Sequence, residues 1–422
     1  MLKGRLPSWL MFALLYLPFA YSYGVLYAEI DNADLPSFYA AAHAVFALHR
    51  SPYAPAMLRR IRGGVVWPFL YPPSSLLAFF PMSPFSYEHV RVAMLWINHA
   101  ALLGLLFGLC RRHPALRGPP NELRTALILV YVLGFTPVVV TLNHGQTNIV
   151  VALLLLLFWH FASQGRPWAA GAFLSVAILL KTPFVLVLLV PLLLGRRGLV
   201  ARTLAISAGL ALLTWLALPG SLWVDWFHIL PTVGYGETPN GLFSPAAAWN
   251  QSFNGFFSRL TPTATDGRIG TYLASLLAIA ASAFAVRRAR TTQDEPDALR
   301  VGLTIVFPLI YLVAPLSWEH HLVYLLPTVT VQLAQACFGE FPREKRLSAL
   351  IVPLAVLLAL PFGLLYKFFG VLGLWAAGMV SALRPVDVPS VIAASAGSEP
   401  VANALQDTQG GAADAGGSGI HS

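Results

Sequence analysis

An all-α polytopic membrane protein is predicted by three features of the sequence. Apolar runs of about twenty residues, the length a bilayer requires, recur from Trp9 to Val380. Only 11% of residues are charged while 57% are hydrophobic, and basic residues cluster between the apolar runs. A soluble domain carries roughly 25% charged residues. Backbone groups in lipid must bond within their own segment, so uninterrupted runs mean helices. Leu and Ala fill them without period-two alternation, which argues against a barrel. The formal charge of +9 is spread over short clusters rather than one stripe. That is the topology signal of a membrane protein and gives no surface for nucleic acid. Cys110 and Cys337 stand at the ends of apolar runs without CxxC or Cys/His spacing, so neither a disulfide framework nor structural zinc is expected.

Reading apolar runs against basic clusters gives a zigzag of about twelve transmembrane helices. The first run, 9–28, follows Lys3 and Arg5. It is longer than the apolar region of a signal peptide, so it reads as a retained helix. Residues 29–87 form a large outer loop. Helix two, 89–110, returns to Arg111, Arg112, Arg117 and Arg124. Helices three (125–141) and four (147–162) form a hairpin around His144-Gly145-Gln146. Lys181-Thr182-Pro183 splits 168–195 into either two short spanning helices or a re-entrant pair. Helix seven, 200–218, leads into a second outer loop, 219–267. Helix eight (269–286) returns, nine (301–316) exits and ten (322–338) returns to Arg343, Lys345 and Arg346. Helices eleven (347–365) and twelve (368–383) turn at Lys367. Residues 1–383 therefore read as one transmembrane domain, and the Ala/Gly/Ser-rich stretch 384–422 as a disordered cytoplasmic tail.

This path puts 18 of the 27 Lys and Arg on the cytoplasmic side, with both termini. Arg50, Arg59, Arg60 and Arg62 fall instead in the first outer loop. There Leu35, Phe38, Ala42 and Val45 share a helical face, which predicts an amphipathic helix on the membrane surface. The proline-punctuated segment 69–85 is too short between breaks to span and reads as interfacial.

Asp34 heads that amphipathic helix. A carboxylate there can take a proton from a hydroxyl as general base, or it can cap the helix, with Pro36 tolerated in the first turn. Asp31 is a weaker rival. Ser317-Trp318-Glu319-His320-His321 ends helix nine on the same outer face, where a histidine can bond a phosphate or position the base. Adjacent histidines diverge on a helix, so they do not chelate as a pair, and Trp318 can equally be an interfacial anchor. Lys181 lies inside an apolar stretch, where an ammonium marks a functional site by default and suits a phosphate; snorkelling is the alternative. Gln146 and Asn148, with His144 beside them, and Asn250, Gln251, Ser252 and Asn254 offer amides for sugar hydroxyls. Amides are also common in turns. Tyr39, Tyr71, Trp318 and Glu319 complete the expected substrate-binding set. Trp223, Asp225, Trp226 and His228 open the second loop. The zigzag brings the outer-face groups together, whereas the short basic cytoplasmic loops carry no GxxxxGK[ST] or other nucleotide cradle. No cofactor is expected; Glu319 and Asp31 are available to a metal, but no ligand spacing demands one.

The ordered blocks DLPSFYAAAHAV…SPY, FLYPPSSLLAFFP, GQTNIVVALLLLLF, RPWAAGAFLSVAILLKTPFVLVLLVPLLL, NQSFNGFFSRL and LSWEHHLVYLLP resemble glycosyltransferase family 87. These are polyprenyl-phosphate-mannose-dependent mannosyltransferases of the GT-C class, and the likeness runs from about residue 8 to 380. It implies a GT-C fold in the plasma membrane with an active site on the periplasmic or extracellular side. It also implies a polyprenyl-phosphate sugar donor, a glycolipid or glycan acceptor, and inverting transfer without a nucleotide. The family's general base maps to Asp34 and its histidine pair to His320 and His321. Lys181 with Arg59, Arg60 and Arg62 would then meet the donor phosphate. ALHRSPY lacks the glycine usual before PY. A secondary transporter or flippase is the competing reading, because transporters also carry polar residues at broken helices.

Overall fold

The computed structural model describes residues 8–29, 33–62, 66–111, 122–238, 241–261, 263–338, 342–361 and 364–383. Asp31, Lys3, Arg5, Arg112, Arg117 and the expected tail lie outside them. Every regular element among the described residues is helical. Six helices are long and apolar enough to cross a membrane, or seven if the bent pair Glu122–Leu133 and Thr136–His144 counts as one span. Part of the difference from about twelve expected crossings lies in helix length, whereas the expected first run is a helix of 22 residues, Ser8–Glu29. Asn148–Ser163, Pro167–Leu180, Thr182–Leu193 and Ala349–Ala359 are apolar but shorter than the six.

Prolines set several of the breaks. The helices either side of Gly134-Phe135 meet at 46°, with Pro137 in the first turn of the second. A proline lacks the N–H that would continue the preceding helix. The Lys181 interruption works in the same way. Helix Pro167–Leu180 stops at Lys181, whose backbone is extended, and a 3-10 turn over Thr182–Leu188 starts with Pro183 near its head. Both halves of the expected 168–195 stretch are thus short apolar helices. Helix Glu295–Val313 ends at Ala314, with ψ of 143°, the extended geometry forced on a residue before proline, here Pro315. The Trp318-Glu319-His320-His321 cluster is therefore carried on its own 3-10 turn, Glu319–Leu325, before helix Leu326–Phe338, rather than on the end of helix nine.

Two apolar cores follow. The larger gathers Leu102, Leu129, Leu155, Leu299 and Leu326 from long and short apolar helices alike. The smaller joins the two large loops, with Leu35, Phe38, Phe69 and Phe79 from the first against Leu218 and Leu222 near the second. Phe38 and Phe79 stack at 4.7 Å, and Trp226 Nε1 donates to the Leu70 carbonyl at 3.3 Å. Helix Leu35–Phe46 is accordingly buried on more than its apolar stripe: Ala40, Ala41 and Ala44 are covered as well as Leu35, Phe38, Ala42 and Val45. Small alanines let neighbours close on both sides, so this helix packs inside the protein instead of resting one face on lipid.

Candidate active site

Asp34 occupies the N-cap position of helix Leu35–Phe46, yet its side chain makes no capping bond. The carboxylate turns instead to His144, with Oδ2 3.0 Å from the imidazole Nδ1, and the Asp34 backbone N–H donates to the His144 carbonyl at 3.1 Å. Of the two sequence readings, capping is not what this side chain does. His144 is the last residue of helix Thr136–His144, which stops because Gly145 adopts φ of 63° and returns its N–H to the preceding turn. Left-handed backbone costs glycine no Cβ clash, and such a residue is a common helix stop. Burial pushes the Asp34 carboxyl up, but the His144 hydrogen bond, the nearby His320 and the Gln146 side chain outweigh it and hold it below its ordinary value. The group is therefore kept as an ionised acceptor.

His320 and His321 diverge as adjacent residues should. Their rings meet edge-on at 4.5 Å. His320 faces His144, with ring centroids 4.9 Å apart; its carbonyl is pinned by Asn148 Nδ2 at 3.0 Å and by the Thr141 hydroxyl at 3.3 Å. His321 faces the other way, toward Lys181 Nζ at 3.5 Å from Nε2. Its Nδ1 accepts the Trp318 backbone N–H at 3.3 Å. A backbone N–H can only donate, so the neutral ring carries its proton on Nε2. Two donors, Nε2–H and the lysine amine, then converge with no acceptor between them, which is the arrangement an anion completes. Lys181 is buried, with its Nζ 5.4 Å and 5.6 Å from the ring centres of Tyr71 and Tyr324, so it does not snorkel outward. A cavity of about 60 Å³ opens beside it, bounded by Lys181, Phe184, Ile310, Tyr311, His321 and Tyr324.

The other expected site residues divide clearly. Gln146 and Tyr71 lie close enough to Asp34 to bear on its carboxylate, so Gln146 and Tyr71 belong to the cluster. Asn148 stands next to it but donates to the His320 carbonyl and accepts the Tyr324 hydroxyl at 2.6 Å. Its amide positions the histidine turn. Asn250 donates to the Pro245 and Pro315 carbonyls and accepts from Ser252 and Ser317. Gln251 donates to the Ala248 carbonyl and accepts the Phe368 N–H. These two amides are spent on tying 245–252 to 315–317 and to helix Leu364–Leu383. Gly255 permits this join, because a Cβ there would sit 2.0 Å from the Asn250 carbonyl oxygen. Glu319 pairs with buried Lys367, which braces the histidine turn from behind. Trp318 is half-buried and stacks near-parallel on His320.

Tyr39 packs on His43 and Tyr87, on the first loop's own core. Arg59 and Arg60 are exposed on helix Pro55–Arg62, and the Arg62 guanidinium lies 4.0 Å over the Tyr87 ring. Tyr39 and Arg62 thus meet on the Tyr87 ring rather than on the Asp34 carboxylate. Tyr324 is the member that sequence reasoning left out, while His144 and Lys367 read in the sequence only as turn residues. His144 carried the clearest signal, a histidine directly before a helix-stopping glycine.

Asp34, His144 and His320 also offer three ligand atoms within 4.8 Å of one another. One carboxylate and two imidazoles suit a divalent transition ion, a grouping that sequence spacing did not reveal. The direct Asp34–His144 hydrogen bond satisfies two of the three without an ion.

Residues 69–315 match the model of Glycosyltransferase family 87. A Mycobacterium tuberculosis protein described as a polyprenol-phosphate-mannose-dependent alpha-(1-2)-phosphatidylinositol mannoside mannosyltransferase is 30% identical over 282 residues, 64% of this chain and 62% of the relative. Its Mycolicibacterium smegmatis counterpart is 28% identical over 303 residues, 67% of this chain and 65% of the relative. A second Mycolicibacterium smegmatis protein, described as acting on phosphatidylinositol pentamannoside, is 29% identical over 269 residues, 62% of this chain and 60% of the relative. The chain thus spans less than two thirds of each of these relatives.

Proposed function

The chain belongs to glycosyltransferase family 87, and from that membership we propose that it transfers mannose from a polyprenyl-phosphate donor to a glycolipid or glycan acceptor. The observation that carries the reading is the convergence of an ionised Asp34, held by His144, with the paired donors of Lys181 and His321. One side supplies a base and the other an anion site, and the touching rings of His320 and His321 join them. The relatives' described donor, a polyprenol-phosphate mannose, is a sugar on an anionic lipid phosphate that suits both halves.

The acceptor hydroxyl oxygen attacks the anomeric carbon while Asp34 takes its proton. The bond from that carbon to the phosphate oxygen breaks, and its electron pair stays on the departing lipid phosphate. Lys181 and His321 stabilise the charge growing there, where fixed donors in a water-poor site contribute most. Displacement in one step inverts the anomeric configuration. The lipid chain lies in the apolar surroundings of the cavity beside Phe184 and Ile310, and Arg59, Arg60 and Arg62 supply further outer cations for the donor phosphate. The excess of Lys and Arg in the opposite loops supports a site on the non-cytoplasmic face of the cell membrane, in a chain of about twelve crossings of various lengths.

The test is direct. Membranes containing the protein are given polyprenyl-phosphate-[14C]mannose, and label should move to a glycolipid or glycan fraction. Label that remains on the donor, or crosses the bilayer still attached to it, contradicts transfer; the second result would favour a flippase.

A further inference from the structure

Three near-parallel rings lead from the surface toward Asp34. Trp249 is 47% exposed, stacks on half-buried Trp318 at 6.0 Å and 14°, and Trp318 stacks on buried His320 at 6.3 Å and 20°. His320 in turn faces His144, the partner of Asp34. Phe243 buttresses Trp318 edge-on at 5.1 Å, and Trp67 packs behind Phe243.

The turn carrying Trp249 is held with unusual firmness for an exposed segment. The next residue, Asn250, is anchored to the Pro245 and Pro315 carbonyls. Gln251 N–H bonds the Ser317 carbonyl at 2.8 Å. Arg259 donates to the carbonyls of both Ala247 and Asn250. A tryptophan that serves only as an interfacial anchor needs a depth in the membrane and no fixed plane. This one has its plane fixed against a second ring that touches the candidate active site.

We propose that Trp249, backed by Trp318, is the acceptor subsite, and that it takes the C–H face of a pyranose already present on the acceptor. The aromatic face is negative and the axial C–H bonds of a sugar are weakly positive, so the two surfaces attract and exclude water. A pre-ordered ring loses little entropy when the sugar lands. The acceptor is then a glycosylated molecule, and a bare lipid or polyol has nothing to cover this ring. The inference rests on the mannosyltransferase reading above, and its test separates the two.

Initial rates are measured against a mannosylated phosphatidylinositol in detergent micelles at fixed polyprenyl-phosphate-mannose. Trp249→Ala should raise the acceptor KM about tenfold and leave kcat and the donor KM within twofold. Trp249→Phe should keep most of the affinity, and Trp215→Ala, a control at an exposed tryptophan that packs on Trp223 instead, should change nothing. An unchanged acceptor KM in Trp249→Ala, or an equal rise in the donor KM, overturns the subsite. Equilibrium binding is read in parallel from intrinsic fluorescence with the mannosylated lipid and with sugar-free phosphatidylinositol. The sugar-dependent part of the signal should vanish in Trp249→Ala; if it persists, the subsite is wrong. Should the wild type bind the sugar yet transfer nothing, the transferase reading fails while the subsite stands.

Discussion

Two buried polar regions lie close together and use opposite economies of hydrogen bonding. Around Asn250, Gln251 and Ser252, donors and acceptors are matched: Asn250 alone bonds Pro245, Pro315, Ser252 and Ser317. Around Asp34 and Lys181 the partners are themselves titratable: Asp34 pairs with His144, and Lys181 meets His321. Lys181 and His321 aim two donors at each other, and Asp34 leans on a histidine instead of capping its helix. A buried polar set whose bonds all close within the protein is scaffold. One left with surplus donors and an ionised acceptor is prepared for a charged, proton-releasing partner.

Substitutions can break or sharpen that contrast. The largest effect after loss of the base belongs to Lys181→Met, which should cost roughly 10²–10³ in kcat, the usual loss when one stabilising donor is removed. The donor KM should rise more than the acceptor KM; equal rises would deny Lys181 the phosphate. Asn250→Ala should do the reverse. It strips several buried bonds, each unsatisfied partner costing about 1–3 kcal/mol, so the thermal midpoint should fall while kcat per folded molecule stays near wild type. If Asn250→Ala instead leaves stability intact and abolishes turnover, the division between scaffold and site is wrong.

A smaller and more specific effect concerns pH. Because the Asp34 carboxyl is held below its ordinary value, it remains ionised and active until pH falls through that lowered value. The acid limb of kcat/KM should therefore lie below the usual carboxylate range. In His144→Ala burial is left with less opposition, so the limb should move to higher pH. A limb that stays fixed would show that His144 does not hold the base. The smallest expected effect is none: EDTA should leave the initial rate unchanged, since Asp34 acts as base in this account. Loss of rate restored by a divalent ion would assign Asp34, His144 and His320 to a metal.

Hydropathy made the membrane class and most of the helix order legible, because the lengths of apolar runs are local properties. The break at Lys181 could also be read from Pro183, whereas the expected helix nine, 301–316, runs past Pro315 and the structure stops it at Val313. What sequence could not separate was the two polar regions, since both are short runs rich in Asn, Gln, Ser or His. Whether an amide is free depends on partners such as Pro315 for Asn250, 65 residues away. The same holds for His144, which meets Asp34 across 110 residues and looked like a turn residue beside Gln146. The burial of helix Leu35–Phe46 escaped a one-face reading because its alanines are neutral in pattern yet permit packing on several sides. Arg59 and Arg60 stand exposed on helix Pro55–Arg62, and charge in an outer loop does not by itself tell a solvated face from an outer rim for the donor phosphate.

The central claim is that an ionised carboxylate at position 34 removes the acceptor's proton. The most direct measurement is single-turnover transfer from polyprenyl-phosphate-[14C]mannose by purified Asp34→Asn protein, beside a thermal unfolding curve of the same sample. Asparagine keeps the shape and can still bond His144, so the midpoint should remain close to wild type while the rate falls by about 10²–10⁴, the contribution of a positioned base. Transfer at more than a tenth of the wild-type rate from a well-folded variant would contradict the account.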